Sequence, residues 1–147
     1  MNNLSFHITD ITANSIRANA SEIGLSVEEQ DTRIVIRITD NGSGMDAETA
    51  RRVTNPFYTT RTTRKVGLGL PFLIQNAEQT GGSVTLTSEP GKGTEVRAVF
   101  HSDHIDCPPW GDLPGTVALL ITGNPEINVC FEYRSGETGN SIRPRSF

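Results

Sequence analysis

Residues 33–45 read Arg33-Ile34-Val35-Ile36-Arg37-Ile38-Thr39-Asp40-Asn41-Gly42-Ser43-Gly44-Met45. Ile34, Ile36 and Ile38 alternate with Arg33, Val35, Arg37 and Thr39, the period of a strand with one packed face and one wetter face. The run stops at Asp40-Asn41-Gly42-Ser43-Gly44, where the chain must turn. Just upstream, Ile23, Leu25 and Val27 alternate with Glu22, Gly24, Ser26 and Glu28, and the short connection around Gln30-Asp31 suits a hairpin. Half-buried alternation of this kind is the habit of an antiparallel sheet.

Outward from this hairpin, Ile8 to Ala20 reads as a helix. Ile8, Thr12 and Ser15 share one side; Asp10, Asn14 and Arg17 share the other. Downstream, Asp46 to Val53 reads as a short helix capped by Asp46 and broken at Asn55-Pro56. Phe57 to Val66 has no period and reads as a basic, hydroxyl-rich loop. Gly67-Leu68-Gly69 opens a helix from Leu70 to Thr80, stopped at Gly81-Gly82. Val84, Leu86 and Ser88, then Val96, Ala98 and Phe100, give two more strands around the turn Pro90-Gly91-Lys92-Gly93. The order predicts an α+β fold: a two-layer α/β sandwich with a mixed, mostly antiparallel sheet covered on one face by helices.

Length and composition agree. The 147 residues fit one domain at about 150 residues per domain. Thirteen Lys+Arg against 17 Asp+Glu leave a net charge of −4, which lacks the basic footprint of a nucleic-acid binder. No apolar run approaches the ~20 residues of a membrane span, and Met1 to Phe6 lacks the pattern of a secretory signal. Two cysteines, Cys107 and Cys130, are too few for a disulfide scaffold or a Cys-rich zinc site. A reduced, cytoplasmic protein is expected.

Four features could carry chemistry. Asp10-x-x-x-Asn14-x-x-Arg17 could offer an amide oxygen to Mg2+ and a carboxylate to a water, or be a solvated helix face. Asp40 to Gly44 could set a carboxylate against an adenine amine, or be a plain turn. Gly67-Leu68-Gly69 could turn helix N–H groups toward phosphate, with Arg61, Arg64 and Lys65 adding positive charge. Gly91-Lys92-Gly93-Thr94 alone is a turn.

Taken together in this order, the motifs resemble the GHKL superfamily of DNA gyrase, heat-shock ATPase chaperones, sensor histidine kinases and MutL-type ATPases. The N box matches at Asp10 to Arg17, the first glycine box at Asp40 to Met45, and the Phe box at Asn55-Pro56-Phe57-Tyr58-Thr59-Thr60. The second glycine box matches at Gly67-Leu68-Gly69-Leu70 and the third at Gly91 to Thr94. The resemblance covers roughly residues 4 to 101 and is nearest to the catalytic domain of sensor histidine kinases, with a Bergerat-type ATP-binding fold. It implies that Asn14 ligates Mg2+ on the nucleotide phosphates, that Asp40 accepts the adenine amine with support from Thr94, and that Gly42 and Gly44 shape the pocket floor. It also implies phosphate contacts from Gly67 and Gly69, and from Arg17, Arg61 and Lys65. Met45, Phe57, Thr60, Leu68 and Leu70 stand in the matched boxes. Asp10 falls where gyrase and MutL carry a Glu base, one methylene shorter. Val66 stands where many kinases have another glycine. His7 reads as ordinary, and His101, Asp103, His104, Asp106 and Cys107 as a polar loop without zinc spacing.

Residues 1–101 are therefore expected to form the ATP-binding domain. Residues 102–134 are expected to be a helix–strand extension packed on it or docking a partner, and 135–147 a disordered tail. In the extension Asp112 caps a helix over Leu113 to Thr122, with Pro114 in its first turn. Ile127, Val129 and Phe131 alternate as a strand, with Cys130 in the core. Trp110 is an anchor or simple packing. The resemblance implies Mg-ATP binding and γ-phosphate transfer to a partner protein in trans. An ATP/ADP-sensing regulatory module and a slow MutL-like ATPase are the alternatives; a homodimer is left open.

Overall fold

The computed structural model describes residues 3–54, 69–135 and 140–142. Phe57, Thr60, Arg61, Lys65, Gly67 and Leu68 lie outside the described residues.

The first helix, α1 (Leu4–Arg17), starts and ends earlier than the expected Ile8 to Ala20. Asn3 caps it, its side chain accepting from Phe6 N at 2.7 Å, so the turn holding buried Leu4 and Ser5 is helical too. It stops at Ala18 because Asn19 takes a left-handed φ of 63°. The hairpin follows as β1 (Glu22–Gln30) and β2 (Arg33–Asp40). Gln30 pairs with Arg33 across a tight turn in which Asp31 has φ 55°. Helix α2 (Ala47–Thr54) carries its expected cap, Asp46, whose Oδ1 accepts from Thr49 N at 2.8 Å. Helix α3 (Gly69–Gln79) ends at the expected glycines, with Gly82 N donating to Ala77 O. Strands β3 (Ser83–Glu89) and β4 (Gly93–His101) form the second hairpin. Helix α4 (Leu113–Gly123), capped by Asp112, leads to β5 (Asn128–Ser135). The short β6 (Asn140–Ile142) pairs with it inside the stretch expected to be disordered.

The sheet has six strands in the order β3-β4-β2-β1-β5-β6. β1–β5 is parallel and the other pairings are antiparallel. Period-2 alternation turns Ile23, Leu25, Val27, Ile34, Ile36, Ile38, Val96, Ala98 and Phe100 toward the helices, where they are nearly fully buried. The fold is the expected α+β sandwich. Its core does not stop at position 101: Val117, Leu120, Ile127, Val129 and Phe131 belong to the same cluster as Leu4, Ile8 and Leu25. Cys130 corrects an expectation. It is exposed, because the residues that face the core are its neighbours Val129 and Phe131. Among the described residues no helix is long and apolar enough to cross a membrane.

Candidate nucleotide site

The strand period that buries Ile34, Ile36 and Ile38 also turns Asp40 toward the helices, at the very end of β2 and opposite Thr94 of β4. There the carboxylate is pinned from two sides. Oδ2 accepts from Ser15 Oγ at 2.6 Å, and Oδ1 accepts from the Gly42 amide at 2.8 Å. It stands in a cavity of about 290 Å³ lined by Ile11, Asn14, Ser15, Arg17, Ile38, Ser43, Gly44, Met45, Leu70, Thr94 and Val96 among others. The walls are mainly aliphatic, and the polar groups converge from α1, the end of β2 and the start of β4.

The loop after β2 is strapped down rather than free. Ser43 N donates to Ala18 O at 2.9 Å, Gly91 N to Ser43 O at 2.7 Å, and Met45 N to Ser88 Oγ at 2.8 Å. Two glycines make this close approach possible. Gly44 has φ +72°, and a Cβ there would lie 1.9 Å from Glu89 O. Gly93 has φ +124°, and its Cβ would lie 2.0 Å from Asp40 O. No side chain fits either position without moving backbone. Ser88 Oγ also donates to Gly93 O at 3.1 Å and lies 2.8 Å from Thr94 Oγ1. Either hydroxyl can donate across that pair; with the Ser88 proton on Gly93 O, Thr94 would donate to Ser88 and present an acceptor to the cavity.

On α1, Asn14 Oδ1 accepts from Arg17 Nη2, so the candidate metal ligand and a candidate phosphate contact are bonded to each other. Asp10 does not line the cavity. It abuts the opening of α3, where a Cβ on Gly69 would lie 2.8 Å from Asp10 Cβ. Burial raises the pKa of Asp10, partly countered by Arg17. The structure thus brings Asp40, Gly44, Met45, Leu70, Thr94, Asn14 and Arg17 to one cavity. Gly42 sits beneath it, packed against Ala18 and Asp40.

Sequence reasoning missed Ser15 and Ser88. Ser15 is 2% exposed on the apolar side of α1, and a polar residue on that side was the available signal. His7, read as ordinary, is buried. It is 1% exposed, 2.7 Å from Asn76 Nδ2 through Nε2 and packed among Phe6, Phe72 and Phe100. Burial lowers its pKa to about 4. His104 bonds locally to the Asp106 amide at 3.0 Å, and no cluster of three or more metal-binding His, Cys, Asp or Glu occurs among the described residues.

The family described as Histidine kinase-, DNA gyrase B-, and HSP90-like ATPase matches residues 3–104. The sensor histidine kinase YxdK of Bacillus subtilis is 29% identical over 66% of this chain and 32% of its own length. Sporulation kinase C of the same organism is 30% identical over 67% of this chain and 23% of its own. The sensor kinase CckA of Brucella abortus is 34% identical over 61% and 10%. The chain thus spans a third or less of each of these relatives. Among solved structures, the N-terminal domain of a DNA repair protein superposes with TM-score 0.63 at 18% identity, covering 100% of this chain and 53% of its own. The Aquifex aeolicus MutL ATPase domain complexed with ADP gives 0.57 at 16%, covering 100% and 65%. At these identities the structural likeness speaks for the fold.

Proposed function

The chain belongs to the histidine kinase-, DNA gyrase B- and HSP90-like ATPase family, and from that footing we propose that it holds Mg-ATP in this cavity and passes the γ-phosphate to a partner protein. The observation that carries the reading is Asp40, fixed by Ser15 Oγ and Gly42 N with Thr94 as a second acceptor beside it. Two adjacent acceptors over aliphatic walls suit a flat heterocycle with an exocyclic amine. Adenine is such a ring, and guanine presents a carbonyl at the corresponding edge, which two acceptors repel.

The residues present fit a magnesium ion. Asn14 supplies a hard amide oxygen, and its present partner, Arg17, is itself a phosphate donor. With Arg17 turned to phosphate, the Asn14 oxygen would be free to hold the ion. When bound, magnesium neutralises the triphosphate charge that phosphoryl transfer concentrates. The N–H groups at the opening of α3 attract phosphate from the other side. Arg61, Lys65, Gly67 and Leu68 are proposed to complete the phosphate contacts, and Phe57 and Thr60 to flank the nucleotide. The partner is a signalling protein carrying the phosphoacceptor, and the reaction belongs in the cytoplasm, where ATP is.

One observation favours a second reading. Asp10, with its raised pKa, abuts Gly69 at the phosphate end, where a carboxylate with more base character could take a proton from water. That is slow hydrolysis. Calorimetry with ATP and ADP, with and without magnesium, tests the shared premise: binding that Asp40→Asn weakens about 100-fold is expected. Label from γ-labelled ATP then decides between outcomes. Label on an added histidine-kinase phosphoacceptor domain supports transfer; free phosphate that Asp10→Asn abolishes supports hydrolysis.

A further inference from the structure

A second concavity, of about 580 Å³, lies at the other end of the helix layer, walled by Trp110, Val117, Ile121, Phe131 and Tyr133 with Glu29 at its polar end. No residue of α1 lines it; it opens along α4. α4 is the helix packed on β5, and its sequence, Leu113 to Gly123, contains no charged residue. Ala118, which lines the groove, is exposed. The groove is preformed. The Trp110 segment is anchored where Leu4 N donates to Pro109 O at 2.8 Å and Ser5 Oγ to Trp110 O at 2.6 Å.

Glu29 continues the inward period of Ile23, Leu25 and Val27. Oε2 accepts from Trp110 Nε1 at 3.0 Å, and Oε1 accepts from Tyr133 OH. Both donors are neutral, and among the described residues no cation forms an ion pair with Glu29. Each oxygen keeps a lone pair, enough for a guanidinium fork. A cation seated there would also lie against aromatic rings, where desolvation strengthens the attraction.

We propose that this groove docks a helix of a partner protein, whose apolar stripe packs along α4 and β5 and whose single arginine pairs with Glu29. The match is one of charge and shape together: an apolar trough flanked by α4 from Leu113 to Thr122, about three turns of helix, closed at one end by Glu29, whose carboxylate meets no cation among the described residues. The proposal does not rest on the nucleotide reading.

Trp110 is the single tryptophan in the chain, so its emission reports on the groove directly. The probes are two Trp-free, four-turn amphipathic peptides with a leucine stripe, one with arginine at the stripe's margin and one with norleucine there. The arginine peptide is expected to shift Trp110 emission with an affinity about tenfold higher than the norleucine peptide. Glu29→Gln is expected to erase that preference while keeping norleucine-peptide binding. Ala118→Glu, at an exposed position lining the groove, is expected to weaken both peptides about tenfold. ADP binding, measured on the same samples, is expected to be unchanged by either variant. Equal affinities on the unaltered chain, or a preference that survives Glu29→Gln, overturn the proposal. n-Octylamine binding as tightly as the arginine peptide overturns it in favour of a small amphiphilic amine. A dimer in sedimentation that Ala118→Glu dissolves overturns it in favour of a second copy.

Discussion

Asp40 and Glu29 are the same functional group on the same side of the same sheet. Asp40 ends β2 and Glu29 stands near the end of β1. Each carboxylate accepts from two neutral donors. What differs is the surroundings. Around Asp40 stand Asn14, Arg17 and Thr94, with a loop whose own amides are spent on strapping it down. Around Glu29 stand two aromatic rings and the uncharged flank of α4. The first setting holds a carboxylate in fixed aim within a small cavity and suits a neutral donor on a flat ring. The second leaves a full charge at the end of an apolar trough and suits a cation. A carboxylate's partner is chosen by its neighbours, not by its position in the fold.

The two settings also differ in how they are held, and the sharpest test of that difference concerns glycine. Gly44 presses on the backbone oxygen of Glu89, whereas a Cβ on Gly115 of α4 would meet the Asp112 side chain at 2.2 Å. Backbone cannot yield cheaply; a capping side chain can. Gly44→Ala is therefore expected to lower stability by roughly 4 kcal/mol, from the left-handed φ together with the clash. Gly115→Ala is expected to be near neutral, a lost cap of ~1 kcal/mol offset by ~1 kcal/mol of helix propensity. Urea unfolding of the two variants side by side measures both. Equal losses would mean that the nucleotide end is no more rigidly built than the groove.

A slightly smaller effect comes from His7, which sits in the seam between α1 and α3 behind the Asp40 cavity. Its pKa falls from 6.5 to about 4 because burial disfavours the charged ring. As pH drops below 6.5, the unfolded chain takes up a proton that the folded chain refuses until about pH 4. Stability is complete above the first value and lost progressively toward the second, by about 3 kcal/mol in all. His7→Phe is expected to flatten this dependence in urea titrations between the two pH values; an unchanged slope would place the acid sensitivity elsewhere.

The nucleotide end was far more legible in the sequence than the groove, for physical reasons. Ile34, Ile36 and Ile38 followed by Asp40-Asn41-Gly42 announce a strand, its buried face and its end at once, because turn chemistry and strand period coincide there. Glu29 is hidden because Glu28, Glu29 and Gln30 form a polar run: the period of two puts Glu29 on the inward face, but a charged residue there reads as the strand's wet end. Ser15 is hidden because a single hydroxyl on a helix's apolar face has no periodic signature; its reason is Asp40, 25 positions away. Helix α1 was displaced toward its C-terminus because Asn3, its cap, lies before any apolar rhythm has begun. The joining of β5 to β1 is a long-range parallel pairing that no local pattern encodes.

The comparison sharpens further when each carboxylate is neutralised. Asp40→Asn is expected to weaken ADP binding about 100-fold, ~2.7 kcal/mol, since it replaces an acceptor with a donor against the ring amine. Glu29→Gln is expected to leave ADP binding alone. Calorimetry on both variants is the check, and a loss of ADP affinity in Glu29→Gln would show that the two ends are not independent.

The smallest effect isolates aim from charge. Ser15 Oγ donates to Asp40 Oδ2 at 2.6 Å from a position 2% exposed, while Gly42 N holds Oδ1. Ser15→Ala keeps the carboxylate's charge and its second anchor, removes a single oxygen, and slightly favours α1 through helix propensity, by about 0.5 kcal/mol. Folding stability is therefore expected to stay level. ADP affinity is expected to fall about fivefold, near 1 kcal/mol, because a carboxylate free to rotate must be re-aimed by the ligand. Parallel calorimetry and urea unfolding separate the two quantities. If affinity holds while stability drops, Ser15 serves the packing of α1 on the sheet, and the Gly42 amide alone sets the direction of Asp40.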